Sequence, residues 1–174
     1  MKHLLVIATF GLMLLNVNAQ TKTERIEGFR DFIWGTHVDS VYSKDNLVQF
    51  TKVERNDSNE KDGNYYTLKG DNMIIGNVVL TQIYYVFSKK DNRLFKVLME
   101  GRKDDTEQMR FIVDHKYGKS VNDGALDDKI IKQWLIRDVY ITLREFSFNK
   151  FELELKSDWQ AAEAYKKNTN VADF

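Results

Sequence analysis

The side chains best suited to proton transfer, nucleophilic attack or metal ligation are few in this sequence, and they are scattered. It has no cysteine, which excludes a disulfide framework, a thiolate metal site and a cysteine nucleophile. Beyond the first twenty residues the only histidines are His37 and His115, too far apart in sequence to form an i, i+4 ligand pair. His37 opens a short helical pattern. His115 falls near the end of a longer one, where a protonated imidazole suits the helix dipole. Two acidic runs surround glycines: Asp57, Glu60 and Asp62 before Gly63, and Asp123, Asp127 and Asp128 around Gly124. Setting either glycine at the sixth position of a calcium loop puts Lys69 or Ile130 where a bidentate glutamate is needed. Both runs therefore read as solvated turns. There is no Gly-x-Ser-x-Gly elbow, phosphate-cradling GxxxxGK[ST] loop, HExxH or GxGxxG. We assign no catalytic residue, no metal ligand and no cofactor.

One constellation remains, and it depends on strand register. Val139, Ile141 and Leu143 alternate with Tyr140, Thr142, Arg144 and Phe146, while Phe151, Leu153 and Leu155 alternate with Glu152, Glu154 and Lys156. A two-residue turn at Asn149-Lys150 would mix the two faces. A three-residue loop of Phe148, Asn149 and Lys150 would pair Leu143 with Leu155 and keep the apolar residues together. The odd loop places Tyr140, Arg144 and Phe146 beside Glu152 and Glu154 on the second face. An aromatic and arginine cluster rimmed by carboxylates is the candidate binding site. The other aromatics, Trp34, Trp134, Trp159, Tyr65, Tyr66, Tyr84 and Tyr85, sit in strand or inner-helix patterns and read as core.

The elements that must position these residues follow from hydrophobic periodicity. Residues 29–34 read as a short strand stopped at Gly35, and Thr36 as the cap of a short helix through about residue 44. Strands are expected at 65–69, 74–87 with a break at Gly76-Asn77, 94–101, 130–137, 139–147 and 151–156. Residues 78–87 are apolar on both faces, as befits an interior strand. Residues 104–117 form the best helical pattern, with Asp104 and Glu107 spaced as a capping box and Gly118 as its C-terminal cap. A last helix is expected from Ser157 to about residue 168, with Trp159, Ala162 and Tyr165 turned inward. The stretches 54–64 and 119–129 read as polar loops. The expected architecture is thus α+β: an antiparallel sheet of about six strands with helices on one face, in an element order that suggests two helix-plus-three-strand units.

Composition sets the compartment and the class of partner. Positive Met1-Lys2-His3, an apolar run over 4–15 and the small-residue site Val17-Asn18-Ala19 make residues 1–19 a secretory signal peptide. The apolar run spans only about 18 Å of a roughly 30 Å hydrocarbon core, so it does not read as a transmembrane anchor. The mature chain then begins at Gln20 with a flexible lead-in over 20–27, a single domain over 28–168 and a frayed tail over 169–174. Twenty-six basic residues balance 26 acidic ones, and loss of Lys2 with the signal leaves one acidic charge in excess. That balance supplies no electrostatic drive toward nucleic acid or anionic lipid.

Phe29-Arg30 followed by Trp34-Gly35-Thr36 and Val41 resembles the FRG-x-x-WGT-x-x-x-x-V opening of small secreted or periplasmic bacterial proteins of unknown function. Those chains also carry an aromatic hairpin, here Tyr84 to Phe87 through Leu94, a helix ending in Tyr-Gly, here Tyr117-Gly118, and a late strand tryptophan, here Trp134. The sequence departs from the pattern at Asp31, where glycine is common. The resemblance implies export and brings no activity. We therefore expect a periplasmic or extracellular, non-enzymatic binding module of the cell envelope, whose partner is another envelope protein or a small ligand. The alternatives are an inhibitor or accessory subunit of an exported enzyme and a hydrolase using an unrecognised carboxylate pair.

Overall fold

A computed structural model describes residues 26–41, 50–54, 63–126, 129–146 and 149–158. The expected signal peptide, the loop at 55–62 and everything after Asp158 lie outside the described residues. Those described form two α-helices and eleven strands: β1 (Gly28–Phe29), β2 (Phe32–Ile33), α1 (Val38–Val41), β3 (Phe50–Val53), β4 (Gly63–Leu68), β5 (Ile74–Ile75), β6 (Val78–Ser88), β7 (Leu94–Arg102), α2 (Thr106–Tyr117), β8 (Asn122–Leu126), β9 (Lys129–Ile136), β10 (Val139–Phe146) and β11 (Lys150–Ser157). Strands β1 and β2 make a separate hairpin. The other nine form one antiparallel sheet in the order β3-β4-β6-β7-β11-β10-β9-β8, with β5 paired to β6. The balanced α+β fold of six strands is thereby corrected to a mainly β domain. The two described helices are appendages to a sheet of nine strands where about six were expected.

The extra width comes from strands that carry little apolar signal. Strand β8 lies inside the stretch expected to be a polar loop; its Asn122-Asp123-Gly124 pairs with Gln133, Lys132 and Ile131 of β9. An edge strand can owe its conformation to one neighbour's backbone ladder rather than to buried side chains. Strands β3, β4, β6 and β7 form one meander and β8 to β11 another, and they meet along the antiparallel pair β7·β11 at the middle of the sheet. There Gly101 faces Phe151, and a Cβ on Gly101 would lie 2.4 Å from the fully buried Phe151 ring. Only glycine leaves room for that ring.

One face of the sheet is the core. Leu80, Ile83, Tyr85, Val97, Met99, Trp134, Ile141, Leu143, Phe151 and Leu153 cluster with Val38 and Val41 of α1 and Met109 and Val113 of α2. Helix α2 is pinned at its C-terminal end, where Trp134 Nε1 donates to Asp114 Oδ1 at 3.0 Å and to the Gly118 carbonyl at 2.9 Å. The expected capping box does not form: a 3-10 turn over Lys103–Asp105 precedes α2, and the N-cap is Asp105, with no side-chain cap bond. Gly118 does end the helix with φ at 87°, a conformation that favours glycine.

Residues 29–34 are not one strand but a hairpin, with Gly28 paired to Ile33 and Phe29 to Phe32 around Arg30 at φ 55°. The hairpin packs its two phenylalanines on Tyr85, and Arg30 pairs with Asp71, which also accepts from the Tyr85 hydroxyl at 3.0 Å. Burial and the neighbouring Asp71 carboxylate push the Tyr85 phenol far above its ordinary value. Trp34 is buried and donates Nε1 to the Ile26 carbonyl at 2.9 Å. The residues of the FRG-x-x-WGT resemblance thus fasten the chain's entry to the sheet. At the other end Ser157, expected to open a helix, is the last residue of β11 and pairs with Val139.

Candidate binding groove on the open face

The face opposite the core is built by parity. Strand β10 ends at Phe146 and β11 begins at Lys150, so three residues connect them, and Asn149 takes φ 54°. Leu143 pairs with Leu153 and Ile141 with Leu155, two residues off the expected register. A shift of two preserves which side chain faces which way. Tyr140, Thr142, Arg144 and Phe146 of β10 therefore share a face with Glu152, Glu154 and Lys156 of β11 and with Lys96, Leu98 and Glu100 of β7.

An irregularity adds Phe95 to this face. Phe87 pairs with Leu94 and Val86 with Lys96, leaving Phe95 as an extra residue on β7. Such a bulge re-aims side chains. Phe95 packs with the small cluster of Tyr65, Val86 and Leu98, separate from the main core. Gly63 permits the approach, since a Cβ there would stand 2.4 Å from Val86 Cγ1 and 3.4 Å from the Phe95 ring.

Charges on the open face form a linked set. Arg144 Nη1 lies 3.2 Å from Glu152 Oε1 and 3.5 Å from Glu154 Oε2. Lys96 Nζ lies 3.7 Å from Glu154 Oε2, and Lys150 Nζ 2.9 Å from Glu100 Oε1. The register also sets Glu152 opposite Glu100 and Lys156 opposite Lys96, like-charge pairs that cost energy unless neutralised. Arg144 and Lys150 neutralise the first. Lys96 is only 1% exposed, and burial pulls its ammonium down to about 8, against the partly compensating field of Glu154. The ammonium also lies 5.8 Å from the ring centres of Tyr65 and Phe95.

Beside this set runs a groove of about 630 Å³, lined by Ser88, Phe95, Gln133, Tyr140, Thr142, Arg144, Glu154, Lys156, Ser157 and Asp158. Its volume falls in the range of small-molecule sites, about 300–1,000 Å³. Tyr140 is 53% exposed and pairs in register with Leu135, 48% exposed. Ser157 lies in the lining at the end of β11, but its side chain has the core-facing parity of Leu155 and Val139, and its buried Oγ has no hydrogen-bond partner among the described residues. Donors, acceptors and an accessible aromatic ring converge here. The arrangement suits hydrogen bonding and stacking. A second concavity of about 390 Å³ lies between α2 and the β1–β2 hairpin, above Met99, Leu153 and Leu155. Those three residues are buried side chains of the core cluster, so the concavity is apolar at its base.

Of the three expected binding residues, the structure brings Tyr140 and Arg144 into the groove. Phe146 lies outside the groove's lining, half-buried beneath Lys150 Nζ at 5.2 Å. The histidines are elsewhere: His37 Nδ1 accepts from the Asp39 amide at 3.3 Å, and His115 stacks on Phe111. Asp123 is engaged by Lys132 at 2.8 Å and by Ser120, and these hydrogen bonds hold its carboxyl below the usual range. Asp57, Glu60, Asp62, Asp127 and Asp128 lie outside the described residues. Among those described, no group of three His, Asp or Glu side chains could hold a metal ion.

Sequence reasoning missed Phe95, Lys96, Gln133 and Asp158. Gln133 alternates with the apolar residues of β9 and was legible in principle, whereas the Phe95 bulge leaves no periodic signal. Comparison with protein-family models, with curated proteins and with solved structures gives no match for this chain.

Proposed function

We propose that the mature chain is an exported, non-enzymatic binding module of the bacterial cell envelope and that the groove beside Tyr140 and Arg144 is its binding surface. The N-terminal signal pattern supports export. One observation carries the binding role: an exposed tyrosine stands at a groove in which Arg144 and Glu154 are already ion-paired. Such a surface recognises a ligand by contact and hydrogen bonding. A second reading, an inhibitor or accessory subunit of an exported enzyme, is favoured by the adjacent exposed Leu135 and Tyr140, which a protein surface would cover.

Immobilised mature protein, challenged with envelope extract, tests the site. The wild type should retain an envelope component, and Tyr140→Ser should lose it while melting at the wild-type temperature. Equal retention by Tyr140→Ser would place the binding surface elsewhere.

A further inference from the structure

We propose that the groove takes a neutral saccharide; this rests on the groove being the binding surface and names the ligand class it fits. Charge is the first argument. Arg144 and Lys156 are matched within the lining by Glu154 and Asp158, so the groove has no net charge with which to select an ion. An anionic ligand drawing Arg144 away would break its ion pair of 3.2 Å with Glu152, a residue only 7% exposed, at a desolvation cost. A neutral ligand leaves these pairs intact.

Hydrogen-bonding capacity is the second argument. Gln133 and Thr142 each offer both donor and acceptor, while Arg144 keeps donors and Glu154 keeps acceptors beyond their mutual pair at 3.5 Å. Sugar hydroxyls donate and accept at once, so one kind of group satisfies the whole set. Ligands dominated by donors, or by acceptors, would strand half of it.

The third argument is the ring. Tyr140 presents a half-exposed aromatic surface beside Leu135, on strands rather than on a mobile loop. The negative π-face attracts the polarised C–H groups on the apolar side of a pyranose, while the sugar's equatorial hydroxyls reach the polar side chains. An exposed tyrosine, balanced charges and side chains that both donate and accept are thus all accounted for by one ligand class.

The probes are chitotetraose, cellotetraose and maltotetraose, titrated into the mature full-length protein and followed by calorimetry and amide chemical shifts. At least one should bind and move the Thr142, Arg144 and Glu154 amides. Tyr140→Ala should weaken it about tenfold or more, whereas Tyr140→Phe should retain it. Affinity should change less than about twofold between about 50 and 500 mM salt, because no ion pair forms on binding. The proposal is overturned if none of the three binds, or if Tyr140→Ala binds as the wild type does. Tyr140-dependent retention of an envelope component with no saccharide bound would reject the ligand class and leave the groove standing; loss of both would reject the groove as well.

Discussion

Strands β10 and β11 present two faces of opposite character. On one, Val139, Ile141, Leu143, Phe151, Leu153 and Leu155 are no more than 6% exposed and meet helices α1 and α2 in a single cluster. On the other, Thr142, Glu152 and Glu154 are nearly as buried, yet their neighbours are Arg144 and Lys96 rather than aliphatic groups. Burial therefore does not separate the faces; chemistry does. The first gains from water exclusion alone, while the second must satisfy each charge it buries. The face that holds balanced charge and still exposes an aromatic ring is the one we propose for contact, and substitutions on the two faces should differ in kind.

The largest effects belong to the core face. Trp134→Ala should cost about 3–5 kcal/mol by urea denaturation, since it removes a ring 1% exposed and both hydrogen bonds that pin α2. Trp34→Ala, at the entry to the sheet, falls in the same range. Trp134→Phe should keep most of the packing and lose about 1–3 kcal/mol for the acceptors left without their donor. A Trp134→Ala protein within 1 kcal/mol of wild type, on the scale of an ordinary surface substitution, would break the assignment of this face as the source of stability.

Lys96→Met should alter the pH dependence of stability rather than its size alone. The Lys96 ammonium is held at about 8 in the folded chain, against 10.5 for an unperturbed lysine. Between these values the unfolded state binds more protons, so stability gains from this group as pH rises from about 8 to 10.5. Below about 8 both states are charged and the penalty is constant. Replacing Lys96 by methionine should abolish the rise and, with Glu154 still held by Arg144, leave the protein at pH 7 as stable as wild type or more so. A rise of equal size in Lys96→Met would assign it to another group.

Smaller effects follow at the central pair and on the open face. Gly101→Ala should cost about 1–3 kcal/mol, because the added methyl displaces the Phe151 ring. Arg144→Ser should cost about 1–2 kcal/mol through the loss of its bonds to Glu152 and Glu154. Tyr140→Ser should stay within about 0.5 kcal/mol of wild type. Differential denaturation of the three variants ranks them. An Arg144→Ser protein indistinguishable from Tyr140→Ser would mean that the charge set is ornamental to the fold. The contrast also makes single substitutions, rather than joint replacement of Tyr140, Arg144 and Phe146, the sharper probe of binding.

The parts of this fold legible in the sequence were those where side-chain alternation was strong. The face assignment of β10 and β11, the three-residue connection and the helix through Tyr117 all follow from period-2 or period-3.6 patterns. The register came out two residues off because pairing Leu143 with Leu153 or with Leu155 buries the same face, and pattern alone cannot choose between them. Strand β8 was hidden because its order comes from pairing with β9, and the β1–β2 hairpin because Arg30 takes a positive φ that its type does not advertise. In the groove, Tyr140 and Arg144 were legible from parity. Phe95 was not, because a bulge interrupts the alternation that would have placed it.

The central claim, that one face folds the chain and the other binds, is tested most directly by amide chemical-shift mapping of the mature protein as the retained envelope fraction is added. The account predicts that shifts concentrate at Gln133, Tyr140, Thr142, Arg144, Glu154 and Lys156, while Met109, Val113, Leu153 and Phe151 stay in place. Shifts confined to α2 and the β1–β2 hairpin, with the open face silent, would contradict it.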